Sequence, residues 1–356
     1  MEKASLVNHR QGESVVRVTD FHKHYKKHQA VMGVDLDIRK GEIYGLIGPD
    51  AAGKSSLMKA IAGVLSYDGG EIKVFETAIV SEQTAERVKG RIGFLPQGLG
   101  QNLYPDLSVE ENIDFFARLR LVSERDLSFR KQRLLKMTRL EPFRARDMKH
   151  LSGGMKQKLG LVCTLIHEPD LIILDEPTTG VDPVSRRDFW TILSELVQEQ
   201  GISALISTAY MDEAARFHRL SLMFQGRILA SGSPTDIRAL TPGTLVIVLA
   251  IPQVEALCQL KKTFPQVESM GPAIRVFIDD QDQEIALKQV RAALRGVQVE
   301  EVLVEDPDPE DAFVALLRRH KLFKPDGEMT HVETSYYSNK HDGLAIEARG
   351  LIRQFG

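Results

Sequence analysis

Short apolar runs alternating with helical spacing give the first picture of this chain. "EIYGLIG" (42–48), "LIILD" (171–175) and "ISALIS" (202–207) read as strands, and helical patterns separate them. That alternation is expected of a parallel sheet with helices on its faces. One helix follows Gly53, where Leu57, Ala60, Ile61 and Val64 fall at i, i+3, i+4 and i+7. After an N-terminal tail (1–13), residues 14–240 therefore read as one α/β domain.

Beyond Pro242 the pattern changes. A strand (244–251), a helix (252–263), two short strands (266–279), a helix (282–295), a strand (297–304) and a helix near 308–320 follow in order. That order predicts a small α+β, ferredoxin-like domain over 241–322. Residues 323–342, "FKPDGEMTHVETSYYSNKHD", are polar and aperiodic and read as a linker. "AIEARGLIRQF" (345–355) then repeats the residue-type pattern of "VVRVTDFHKHY" (15–25), so 343–356 reads as the beginning of a second copy of the α/β domain. On this reading the chain is the front half of a tandem protein.

Composition narrows the function. The 356 residues carry a formal net charge of -3, which lacks the basic excess that drives non-specific nucleic-acid binding. The segment 241–320 is acidic, with 8 Lys/Arg against 13 Asp/Glu, and is a poor candidate for gripping RNA. Cys163 and Cys258 lie far apart without CxxC spacing, so they suggest neither zinc nor a disulfide framework, and a reducing cytosol fits. The longest apolar run, Leu245 to Ile251, is far short of the roughly 20 residues needed to span a bilayer. Any membrane role must come through a partner.

Three stretches carry chemistry. "GPDAAGKS" (48–55) follows a strand and opens a helix, matching GxxxxGK[ST] in the context that motif requires. Its backbone amides and helix start suit phosphate oxygens, Lys54 can reach the β- and γ-phosphates, and Ser55 offers a hydroxyl to Mg²⁺. "LIILDEP" ends in Asp175 and Glu176, the first suited to hold Mg²⁺ through water and the second to orient or deprotonate an attacking water. The 121 residues between Lys54 and Asp175 exceed one βαβ crossover, so something sizeable is inserted. Within them "LSGGMKQKLG" (151–160) places Ser152 as a helix N-cap before Gly153 and Gly154, with Leu159, Val162, Cys163 and Ile166 on the apolar side. Taken alone, that stretch is a capped core helix.

The order GPDAAGKS, Gln97 in "FLPQ", LSGGMKQ, LIILDEP and "TGVDP" (179–183) resembles that of ATP-binding cassette (ABC) ATPases over residues 14–240. The resemblance implies a P-loop NTPase fold with a parallel-sheet core and a helical subdomain near 98–150, and ATP and Mg²⁺ as cofactors. It implies nucleotide contacts from Gly48, Pro49, Asp50, Ala51, Ala52, Gly53, Lys54, Ser55 and Ser56. Tyr25 resembles the aromatic that stacks on adenine. Ser55, Gln97 and Asp175 would serve the metal, and Glu176 with Gln97 the catalysis. Gln97 would link the γ-phosphate to the helical subdomain, which in this family meets the membrane partner. Asp182 resembles the aspartate at the interface between two cassettes, where Ser152, Gly153 and Gly154 would complete the partner cassette's ATP site.

The acidic module, linker and restart resemble tandem ATP-binding subunits of ABC-2-type exporters that drive multidrug or cation efflux. The implied partners are a second ABC domain of the same full-length chain and integral membrane permease subunits, with no nucleic acid. The implied location is the cytoplasmic face of the inner (cell) membrane, peripheral through the permease. Two departures qualify this. The position after "ST" is usually a histidine contacting the γ-phosphate and here is Ala209; Tyr210 follows it, and His218 reads as a surface residue. Ala51 stands where such loops commonly have Gly, at a cost of about 1 kcal/mol if the position needs φ > 0. Two other readings compete: a soluble tandem cassette acting on ribosomes, which a basic helical joining segment would favour, and a regulatory ATP-binding half without turnover.

Overall fold

The computed structural model describes residues 13–98, 100–240, 243–279, 282–319 and 322. The expected linker and second-domain start, and nearly all of the N-terminal tail, lie outside the described residues.

The chain opens with β1 (Ser14–Tyr25) and β2 (His28–Arg39), then β3 (Ile43–Ile47), α1 (Lys54–Ile61), β4 (Gly69–Val74), β5 (Thr77–Ala78), α2 (Glu82–Lys89) and β6 (Ile92–Leu95). Next come α3 (Val109–Leu119), α4 (Glu124–Thr138) and α5 (Gly153–Leu165), which form the insertion that the long spacing required. The cassette closes with β7 (Leu171–Leu174), α6 (Pro183–Gln200), β8 (Ser203–Thr208), β9 (Arg219–Phe224), β10 (Arg227–Gly232) and α7 (Pro234–Ala239).

A six-stranded sheet runs β10-β9-β3-β8-β7-β6, parallel except for β10. Its strands are continuous apolar runs because both faces are covered. Along β7, Leu171 and Ile173 join the core with α1 and α2, whereas Ile172 and Leu174 join the core with α5 and α6. The core over α1 is closed by a second, antiparallel sheet, β2-β1-β4-β5, which the apolar runs did not announce. One helical expectation is corrected. Leu57, Ala60 and Ile61 are buried on α1, but Gly63 (φ 69) lies just beyond its end and Val64 is 56% exposed.

The remaining elements are β11 (Gly243–Ile251), α8 (Gln253–Thr263), β12 (Gln266–Met270), β13 (Ala273–Asp279), α9 (Gln283–Ala293), β14 (Gln298–Glu305) and α10 (Pro309–Arg319). The antiparallel order β12-β13-β11-β14, with α8 and α9 packed on one face, is the ferredoxin-like arrangement. On the opposite face Leu245 and Phe277 pack against Ala315 of α10. Phe313, Leu316 and Leu317 of that helix enter the cassette core, so α10 is buried from both sides. Among the described residues no helix is long and apolar enough to cross a membrane.

Candidate functional site

Three strand ends meet at one edge of the six-stranded sheet. The register pairs Ile47 with Thr208 and Leu174 with Ile206, so the chain leaves β3, β8 and β7 side by side. Polar residues follow each apolar run, and the carboxyl ends of parallel strands are where α/β folds place their ligands.

The loop 48–55 doubles back tightly between β3 and α1. A Cβ at Gly48 would lie 2.0 Å from the Met223 carbonyl oxygen, and one at Gly53 (φ 102) would lie 2.6 Å from that of Ala30. Only glycine fits either place. Gly53 is the N-cap of α1 and supplies no side-chain cap, which leaves the first-turn amides of that helix available to an anion. Pro49, Asp50 and Ala51 are exposed, Ala52 is buried, and Ser55 and Ser56 are half-buried. Ala51 has φ 62, so the left-handed case for that departure applies.

Lys54 folds beneath this loop. Its Nζ donates to the carbonyls of Gly48 (2.7 Å) and Pro49 (3.0 Å) and lies 3.2 Å from Glu176 Oε1. The other Glu176 oxygen accepts from Gln97 Nε2 (2.8 Å) and Thr179 Oγ1 (3.3 Å). Glu176 itself has φ 48, a conformation that costs a non-glycine residue about 1 kcal/mol and that marks functional turns.

Asp175 is 1% exposed. Its Oδ1 accepts from Ser207 Oγ (2.7 Å), and that hydroxyl accepts from the Glu176 amide (2.8 Å). Its Oδ2 is buried without a hydrogen-bond partner. An orphaned buried carboxylate oxygen costs about 1–3 kcal/mol, and a hard divalent cation would satisfy it. The oxygen donors of Ser55, Gln97 and Asp175 are the chemistry Mg²⁺ takes.

Other expected residues fall elsewhere. Ser152 caps α5 by accepting from the Met155 amide (3.3 Å), as expected of an N-cap, and its side of the turn is exposed. Gly154 is buried against α6, where a Cβ would lie 2.2 Å from Ser185 Oγ. Asp182 is exposed and caps α6 through the Ser185 amide (2.9 Å), and that hydrogen bonding holds its carboxyl below the ordinary range. Among the described residues no hydrogen bond or ion pair joins residues 152–154 to the loop 48–55. Tyr25 is 45% exposed, with its hydroxyl 3.2 Å from Ser56 Oγ. Ala209 is exposed, and Tyr210 beside it faces the Arg186 guanidinium, 4.4 Å from the ring centre. His218 is exposed, as expected, and its Nδ1 accepts from the Ile43 amide (3.0 Å).

Two residues escaped the sequence reading. Ser207 ties Asp175 to the backbone of Glu176, and Glu213 is buried with Thr178 and Trp190 as donors. Ser207 carried a faint signal as the hydroxyl closing an apolar strand, whereas Glu213 looked like one acid in a surface turn. Cys163 is buried, which pushes its thiol well above the usual range and leaves it unreactive.

A parallel sheet with a phosphate-type loop at one strand end and paired acids at another defines a nucleoside-triphosphate-binding protein of the P-loop class. The family described as "ABC transporter" matches residues 31–179. The chain is 36% identical over 332 residues to the probable multidrug ABC transporter ATP-binding protein YbhF of Escherichia coli, covering 92% of this chain and 55% of YbhF. It thus spans about half the length of that relative. It is 34% identical to the Nod factor export ATP-binding protein I of Paraburkholderia xenovorans, covering 86% of this chain and 98% of that protein. Among solved structures it matches cbiO1 of Clostridium perfringens, part of the ABC transporter complex cbiONQ, with a TM-score of 0.60 and 25% identity over 71% of this chain and 96% of that one. The chain belongs to the ABC transporter family of ATP-binding proteins.

Proposed function

We propose that this chain binds and hydrolyses ATP to power export through a separate ABC-2-type membrane permease, at the cytoplasmic face of the membrane. The observation that carries the reading is the junction of Lys54 with Glu176, next to Asp175, across the ends of β3 and β7, with Asp175 Oδ2 left without a donor. ATP phosphates would lie along the amides of residues 48–56, and Tyr25 would stack on adenine. Mg²⁺, held by Ser55, Gln97 and Asp175, would neutralise phosphate charge. Glu176, aided by Gln97, would orient the attacking water. The names of the relatives, a multidrug transporter protein and a Nod factor exporter protein, support the export part of the reading.

In this account residues 14–240 are the cassette, 98–150 its partner-facing helical part, 241–322 an accessory module, 323–342 a linker and 343–356 the start of a second cassette. Exposed Ser152, with Gly153, Gly154 and Asp182, would complete that second cassette's site. Ala209 leaves this cassette's own site slow, since removing one transition-state contact lowers the chemical step roughly 10²–10³-fold while binding survives. Equilibrium dialysis with ATP, with and without Mg²⁺, tests the core: the expected result is Mg²⁺-dependent binding, and none defeats the reading. Ala209→His in the tandem protein, with the second site's glutamate disabled, should raise the remaining rate; an unchanged rate defeats the asymmetry.

A further inference from the structure

Glu213 lies in a short 3-10 turn, Met211–Arg216, that continues the chain just after Ala209. It is 1% exposed and has no apolar reason to be there. One oxygen, Oε1, accepts from Thr178 Oγ1 (2.9 Å) and from Trp190 Nε1 (3.1 Å). Thr178 is two residues past Glu176, and its carbonyl accepts from the Val181 amide (3.2 Å) while the Thr179 amide donates to the Glu176 carbonyl (3.3 Å). Glu213 therefore holds the turn that carries Glu176 against α6. Behind it, Ala214 and Phe217 share a core with Phe313, Leu316 and Leu317 of α10, which fixes the 3-10 turn from its far side.

The same carboxylate has a second, unused arrangement within reach. Glu213 Oε2 is buried without a partner, and so is Arg186 Nε, which lies 3.9 Å from Oε1. That gap is too long for a hydrogen bond, yet a shift of under about 1 Å between α6 and the 3-10 turn would close it. Arg186 meanwhile holds Asp212 Oδ2 through Nη1 (3.4 Å), so its free Nε–H and the free Glu213 Oε2 are the two unmade halves of an alternative contact.

We propose that Glu213 is a positioning residue for the ATP site, fixing the Glu176 turn through Thr178 and exchanging toward Arg186 when nucleotide is bound. The inference rests on the proposed ATP-binding function. Trp190 is the only tryptophan of the chain and donates directly to Glu213, so its fluorescence reports the contact.

The test uses the full chain, with MgATP binding followed by equilibrium dialysis and Trp190 emission recorded in the same samples. MgATP is expected to change wild-type Trp190 emission. Thr178→Val, which keeps shape and removes the donor, should bind MgATP within about twofold of wild type, lose the emission change, and slow single-turnover hydrolysis about tenfold. Thr178→Ser, which restores the hydroxyl, should restore the emission change. Bound MgATP with unchanged wild-type emission overturns the proposal, as does a Thr178→Val protein that keeps the wild-type response. Absence of binding by dialysis in the wild type instead overturns the ATP-binding reading itself, so the two failures are separable.

Discussion

The loop 48–55 and the turn 151–154 are both glycine-rich helix starts, yet they are built in opposite ways. At α1 the N-cap is Gly53, no side chain closes the helix, and the first helical residue, Lys54, is buried under the loop. At α5 the N-cap is Ser152, which closes its own first turn, and the glycine behind it is used for close approach to Ser185. One helix start leaves its first-turn donors uncapped and sets its buried lysine against the acids that follow β7. The other spends its cap on itself and presents a serine outward. Similar composition thus serves a buried charge pair in one case and an exposed face in the other.

The sharpest way to break the contrast is Lys54→Ala. Side chains of Lys54 and Glu176 are 4% and 6% exposed and stand 3.2 Å apart. Removing the cation leaves a buried carboxylate supported only by Gln97 and Thr179, which should cost about 3 kcal/mol in urea unfolding. Adding Glu176→Gln should recover part of that loss, since the stranded charge is then gone. If Lys54→Ala unfolds at the wild-type urea concentration, the pair is not the internal brace described here.

The α5 side has its own sensitive group. His167 follows the helix, with Nε2 3.3 Å from the Ile92 carbonyl and Nδ1 buried without a partner. Burial first, then the charges of Arg120 and Arg130, push its pKa down to about 4. The folded state therefore holds fewer protons than the unfolded chain between about pH 6.5 and 4. The stability this contributes is present above about pH 6.5 and falls away as pH drops toward 4, by up to about 3 kcal/mol. His167→Asn should flatten that limb of the stability–pH curve, measured by urea unfolding at successive pH values. A smaller effect, about 2 kcal/mol, is expected from Gly154→Ala, whose Cβ would meet both Oγ and Cβ of Ser185. Ser185→Gly in the same chain should relieve part of it, which thermal unfolding of the four proteins would show.

Much of the site was legible because its parts are local. An apolar run followed by GPDAAGKS, and another followed by Asp175-Glu176, state a strand end and its chemistry within about ten residues. The core sheet and the ferredoxin-like order were readable for the same reason, since length and periodicity distinguish buried strands from helices. What stayed hidden is held together by tertiary contact. Ser207 reaches Asp175 across 32 positions and Glu213 reaches Thr178 across 35, and neither residue type is unusual where it stands. The antiparallel sheet over α1 was similarly obscure. Residues 15–25 read as an alternating strand, but its pairing with β2 and β4, through a register shift between Thr19 and His22, is again a matter of tertiary contact.

The last prediction turns on a single methyl group in the phosphate-type loop. Ala51 is exposed at φ 62, where an L-residue crowds its own carbonyl and glycine does not. Gly53, two residues on, also has positive φ, but there the surrounding backbone leaves no room for a Cβ at all. Ala51 is therefore strained without being sterically excluded, and Ala51→Gly should relieve the strain. The unfolded chain gains freedom from the same change, which offsets part of the benefit. A net stabilisation of about 0.5–1 kcal/mol is expected as a rise in the urea midpoint at unchanged slope. A lower midpoint would mean that the loop is more relaxed at position 51 than its φ indicates, and that its rigidity comes from Gly48, Gly53 and the Lys54 bonds alone.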